Sequence, residues 1–589
     1  MKKILLFSLV LTLTFTSCEK GEKKTTTEAF NELLSNYNEE SYKLFPLNAT
    51  FAGDNRYNDQ LPNDLTDEFK DNLKSFYSDT KNSLSEFNDV DLSDSEKMSK
   101  AVLTWDCDIN LERLNFREDL TPINQMWTMN LMFGQLASGS GAQPFKTVED
   151  YNNWLKRVDS YLDWMNSTEE RMKEGIELGH VLPKSLIKKV IPQLSSLTGV
   201  TEEHLFYQPI KKLPEEFSDD EKKELTASYT DMVQNKIVPA YKKLHAFMST
   251  DYLNAGRMSS GIDDTPNGEA YYKHQIKTYT TTNMTADEIH QLGLKEVARI
   301  LSEMGKVKEQ VGFNGDIKSF FNDLRGNKIL MPYTEPQQII DNFNAIHETM
   351  KPQIEKLFDV KPKTSFEVRR TEAFREASAS AEYNPGSLDG TRPGIFYAPI
   401  PDATKYNVLA DEALFLHEAI PGHHYQISLT QESNILPEFR KTLWYSAYGE
   451  GWALYTESLG KELGLYTDPY QYFGMLGMEM HRAIRLVVDT GIHSKGWSRE
   501  KAIQYSLDNE AESEDSITRE IERYMANPGQ ALSYKIGQLK IRELRARAEK
   551  ALGEKFDIKE FHNQVLETGC IPLQLLENKI DKWVSNKKE

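Results

Sequence analysis

Apolar residues along this chain recur mostly three and four positions apart, which predicts a mainly α-helical protein. Thr285-x-x-Glu288 is a capping box, and the helix it opens carries Leu294, Val297, Leu301 and Met304 on one stripe. Residues 411–416 read as a short apolar helix and residues 452–459 as a buried one. Alternation becomes strand-like only in residues 365–399. There Phe366-Glu367-Val368 and Gly394-Ile395-Phe396-Tyr397 bracket loops rich in Gly, Pro and Asp. Strands placed just before the 411–416 helix suit a small sheet lining a cleft, with an edge able to pair with an extended peptide. The acidic and Lys-rich residues 215–223 read as a solvated helix start or loop.

The N-terminal pattern is of another kind. Lys2 and Lys3 precede an apolar run over residues 4–15, too short to span a membrane as a mature helix, and the run ends at Thr16-Ser17-Cys18. Residues 1–17 are expected to be a signal peptide cut before Cys18, whose thiol is then acylated; an ordinary signal peptide cut nearby is the alternative. Residues 18–29 would form a flexible tether. Both readings export the protein, and the first anchors it to the cell envelope by its N-terminal lipid alone. The Gly-, Asp- and Pro-rich residues 261–268 are the candidate boundary between an N-terminal helical region, 30–260, and a second region, 261–589, in one continuous body.

Composition narrows the function classes. With 589 residues and 39% hydrophobic content the chain can bury a large core. A net charge of −20 argues against nucleic acid as a partner, since phosphate neutralisation needs basic stripes. Past Cys18 only Cys107 and Cys570 remain, expected as two buried thiols with a disulfide as the alternative.

The densest chemistry lies in His417-Glu418-Ala419-Ile420-Pro421-Gly422-His423-His424. Two imidazoles four apart on one helix face can share a metal, but the fourth position after His417 is Pro421, which breaks a helix. On an unbroken helix His423 would lie about 240° around the axis from His417, and His424 roughly 10 Å along it. A metal site here therefore requires the break. Omitting Ile420-Pro421 leaves His-Glu-Ala-Gly-His, so His423 is the expected second ligand and His424 the fallback. A catalytic site needs a third protein ligand. Glu450, in Tyr448-Gly449-Glu450-Gly451-Trp452-Ala453-Leu454-Tyr455, is the candidate, its two glycines admitting a second helix at close range. The competing reading is that Glu450 simply begins a helix, its charge suiting the positive end of the dipole.

These two motifs together resemble a large bacterial family of secreted or lipid-anchored proteins filed as a domain of unknown function. Phe45-Pro46-Leu47-Asn48-Ala49-Thr50-Phe51-Ala52-Gly53, residues 379–396, Asp489-Thr490-Gly491-Ile492-His493 and Asn527-Pro528-Gly529-Gln530-Ala531-Leu532-Ser533-Tyr534 extend the likeness along the chain. The core is similar to the helical gluzincin peptidases, among them angiotensin-converting enzyme, thimet oligopeptidase and carboxypeptidase Taq. The resemblance implies a deep cleft, one Zn2+ on His417, His423 and Glu450, and Glu418 as general base. It further implies that a C-terminal Tyr and His stabilise the developing oxyanion, for which Tyr534 and His493 are the candidates; a packed core side chain is the competing reading for each. Tyr383, Asn384 and Arg392 are candidates for gripping a peptide backbone or terminal carboxylate. Arg482 and Arg485 lie in an apolar helix, where an Arg is usually paired with a carboxylate, and Asp489 is placed to pair with Arg485. A free one would favour an exopeptidase holding a C-terminal carboxylate. The expected function is zinc-dependent hydrolysis of short peptides, as a carboxypeptidase or oligopeptidase of the envelope. A zinc amidase acting on cell-wall peptides, and a non-catalytic lipoprotein binding peptides or glycans, are the alternatives.

Overall fold

The computed structural model describes residues 24–589 apart from 127, 140, 373–375, 377–378 and 388–391. The expected signal peptide and Cys18 lie outside the described residues. The fold is mainly α, running from helix Thr26–Leu44 to helix Leu573–Lys588, with one small sheet. No described helix is long and apolar enough to cross a membrane.

Two hydrophobic cores organise the helices. The smaller draws on residues 47–252 and centres on helix Val148–Leu178, where the buried Trp154, Val158, Tyr161, Met165, Thr168 and Met172 keep three- and four-residue spacing. The larger gathers nearly everything after residue 270, together with Phe30, Leu34, Val102 and Leu103 from the first helices. The chain thus passes between the cores more than once: residues 47–65 join the smaller, 77–107 the larger, and those from 123 on mostly the smaller again before the last return. Residues 261–268 lie at the last return, with Gly261 and Gly268 buried and Asp264, Pro266 and Asn267 exposed. A Cβ on Gly261 would fall 2.1 Å from Ile492 O, so only glycine lets this backbone lie there.

Helix Ala286–Gln310 begins at the expected Thr285 capping box. Its buried seam is Ile289, Gly293, Val297, Ile300, Met304 and Val307, while Leu294 is 37% exposed and Leu301 flanks the seam. The seam sits on Gly293 because a long helix, Pro469–Ser494, presses there: a Cβ on Gly293 would meet Leu486 Cβ at 2.7 Å. Close backbone approach, not side-chain bulk, sets the register.

The expected strand region yields β1 (Phe366–Arg370), β2 (Glu382–Asn384) and β3 (Gly394–Ala398). β3 is central, parallel to β1 and antiparallel to β2, with Phe396 opposite both Val368 and Tyr383. Phe396 packs edge-on against Phe343 of helix Pro336–Leu357, fixing the sheet beside the helices that carry the functional residues.

Candidate metal centre

The His417 helix, Asp411–Glu418, stops at the expected break, and a second helix, His423–Gln431, starts five residues later. The Ile420–Pro421 peptide is cis. Gly422 rests on the end of the first helix, where a Cβ would fall 2.0 Å from His417 O and 2.3 Å from Leu416 O. Proline ends the helix and glycine permits the fold-back. Together they bring the two imidazole rings to 4.9 Å, nearly perpendicular.

Glu450 comes from helix Ser446–Glu457, which starts six residues before the expected 452–459 run. Glu450 therefore stands inside a helix rather than at its first turn. Its flanking glycines do admit close neighbours, but not the His417 helix. A Cβ on Gly449 would strike the Trp444 ring, and one on Gly451 would lie 2.5 Å from Gly537 Cα in helix Ser533–Leu552. Successive residues point about 100° apart, so Glu450 faces the imidazoles while its neighbours face elsewhere. Glu450 Oε2 lies 3.4 Å from His423 Nε2 and 3.7 Å from His417 Nε2. One donor atom from each of the three lies within 4.8 Å of the others, a set able to hold a divalent cation.

Glu457 was not anticipated. Its Oε1 lies 2.8 Å from His417 Nδ1, which orients the ring and leaves Nε2 for the shared position. Its signal was present: Glu457 follows Glu450 by seven residues, two turns on the same helix face. Burial by itself would push the His417 imidazole down, but the carboxylates of Glu450 and Glu457 raise it to about 9. Glu450 is driven the other way: burial opposes its charge, yet His423 and His417 hold it well below the usual carboxylate range.

Glu418 is buried at the end of the His417 helix and makes no hydrogen bond to any described residue. Burial pushes its carboxyl up, as does Glu450, while His417, His423 and Arg482 pull it down. A carboxylate without a fixed partner beside three converging donors suits proton transfer. Trp444, with its ring 5.9 Å from that of His423, also lines a chamber of about 1110 Å³. The chamber is lined by aromatic and acidic residues, including Trp105, Asp106 and Tyr279.

A family model described as "Bacterial protein of unknown function (DUF885)" matches residues 46–580. The chain belongs to that family. A solved structure described as a "putative lipoprotein from Colwellia psychrerythraea" superposes with a TM-score of 0.87 at 27% identity, covering 95% of this chain and 100% of that one. A second, a "putative lipoprotein of unknown function from Shewanella oneidensis", gives 0.75 at 17% identity over 93% and 99%. No curated protein matches the chain.

Several expected site residues of this DUF885 member lie away from the donor set. His424 turns to the sheet, its Nδ1 2.9 Å from Tyr383 Oη, and burial lowers it to about 4; His423, not the fallback, joins the cluster. That same bond occupies the Tyr383 hydroxyl. Asn384 is exposed, and exposed Arg392 donates to Pro385 O at 3.3 Å. His493 cannot serve as an oxyanion donor. It is fully buried, with Nδ1 accepting from Ile262 N at 3.1 Å and Nε2 donating to Tyr524 O at 3.0 Å. Tyr534 is half-buried; Ser533 Oγ lies 2.7 Å from Ser446 Oγ, which puts Tyr534 beside the first turn of the Glu450 helix. Arg523 donates to its hydroxyl at 3.5 Å. Arg485 pairs with Glu520 at 2.9 Å, not with Asp489, which instead accepts from Tyr272 Oη and Gly529 N. Cys107 and Cys570 are buried free thiols.

Proposed function

We propose that this protein is a zinc-dependent peptidase, exported to the bacterial envelope and anchored there through Cys18. The reading rests on one observation: His417, His423 and Glu450 converge beside the unpartnered Glu418 carboxylate. Two imidazole nitrogens and one carboxylate oxygen suit zinc and leave a coordination position over. Zinc, when bound, supplies Lewis-acid polarisation of a carbonyl and acidifies water. The chain's own groups do the rest. Glu418 accepts a proton from the attacking water and delivers it to the leaving nitrogen, so that one water and one amide become one acid and one amine. Glu457 holds the His417 ring. Tyr534, on the helix that packs against the Glu450 helix, is the candidate donor to the carbonyl oxygen as charge builds there. Envelope anchoring is supported by the Thr16-Ser17-Cys18 pattern and by the descriptions of the two similar structures.

The test is metal content of the purified mature chain beside His423→Ala, followed by a peptide-library screen with Glu418→Gln as control. Zinc at about one per chain, lost in His423→Ala, with cleavage lost in Glu418→Gln, is the expected result. A zinc-supplied wild type that binds no metal would overturn the reading.

A further inference from the structure

Arg482 and Arg485 stand one turn apart on helix Pro469–Ser494, yet their surroundings differ. The Arg485 guanidinium is ion-paired: Nη2 donates to Glu520 at 2.9 Å and Nε to Tyr524 Oη at 3.0 Å, the group lies 4.5 Å from the centre of the Tyr534 ring, and Nη1 is buried without a partner. Arg482 has no ion pair among the described residues. Its Nη1 donates to Met478 O of its own helix at 3.2 Å, its Nε is buried without a partner, and nothing described meets its Nη2. The open edge is thus Nε and Nη2, the fork that takes a carboxylate bidentately. A cation left so in a partly buried position costs stability unless a ligand completes it. Its place points the same way. The helix carrying it packs on the His417 helix, which ends at Glu418.

We propose that Arg482 binds a carboxylate of the substrate through its Nε/Nη2 edge, beside Glu418 and the His417–His423–Glu450 set. On the peptidase reading, on which this consequence rests, the carboxylate is the C-terminus of a short peptide, and cleavage occurs within reach of that end. A Glu or Asp side chain presents the same chemistry.

The experiment is calorimetric binding of acetyl-trialanine, its C-terminal amide, and the amide of an acetylated peptide containing one Glu. The proteins are the zinc-supplied Glu418→Gln chain, which holds peptide without turnover, and the same chain with Arg482→Gln or Arg482→Lys. Thermal midpoint and metal content confirm that each variant is folded and equally loaded. The free acid should bind roughly ten- to a hundredfold more tightly than the amide. That preference should vanish in Arg482→Gln and be partly kept in Arg482→Lys. Arg482-dependent retention of the Glu-containing amide supports the carboxylate site and moves its source to the side chain. Equal binding of acid and amide to the parent chain, or a preference unchanged in Arg482→Gln, overturns the proposal. So does an Arg482→Gln enzyme, with Glu418 intact, that loses kcat equally on acid and amide at unchanged KM. If the chain takes up no zinc the peptidase reading fails, while the acid-against-amide comparison on the metal-free chain still decides the role of Arg482.

Discussion

The Glu418–Glu450 centre and the block from Asp489 to His493 are both rich in buried polar groups, and they handle them in opposite ways. In the block every group is closed. Asp489 accepts from Tyr272 Oη and Gly529 N, Thr490 Oγ1 meets Leu486 O and His290 Nδ1, and both His493 nitrogens bond backbone. At the centre the groups stay open: His423 Nδ1 and Glu457 Oε2 are buried without partners, and Glu418 bonds nothing described. An unmet buried polar group costs stability, so a fold that keeps several together leaves room for something else to satisfy them. Burial and residue type mark both regions alike; the state of their hydrogen bonds is what differs.

The comparison breaks most sharply at Glu418. Glu418→Gln should reduce peptide cleavage roughly a hundred- to ten-thousandfold while leaving metal content and thermal midpoint near wild type; loss of folding instead would place Glu418 with the scaffold. His493→Ala should do the reverse. It strands Ile262 N and Tyr524 O and should cost about 2–3 kcal/mol in denaturant unfolding, with metal content unchanged; metal lost from a folded His493→Ala chain would refute the division. Glu457→Gln tests the support of the centre, and metal affinity measured by competition with a chelator should fall about 10–100-fold.

The last test concerns pH, where the effect is small at any one pH step. Burial pushes Asp489 from 3.8 up to about 7, against the pull of Tyr272 and Gly529. Because its folded pKa is the higher, the protonated carboxyl contributes stability that is complete below 3.8 and lost as pH rises through about 7. Asp489→Asn should therefore flatten the fall in stability across that window, by about 1 kcal/mol per pH unit. An unchanged slope would show that Asp489 ionises freely.

Much of the centre was legible in the chain. The impossibility of sharing a metal across an unbroken helix demanded the turn at Pro421, and two-residue omission picked His423 over His424. Glu457 could have been found by its seven-residue spacing from Glu450. His493 and Arg485 could not be sorted. His493 and Asp489 are closed by Tyr272, Ile262 and Gly529, and Arg485 by Glu520 and Tyr524, all distant in sequence. The glycines were recognised as contact points but assigned the wrong neighbours, because a glycine announces close approach without naming what approaches.

Local order, then, belonged to the sequence alone: the helical periodicity, the Thr285 cap, the strand block and the helix break around Pro421 follow from backbone preferences spanning a few residues. Tertiary structure decided that Glu457 supports His417, which of two arginines is ion-paired, and which buried polar groups are satisfied. Those outcomes depend on where partners tens to hundreds of residues away come to rest, and hydrogen bonding acts only over a few ångströms.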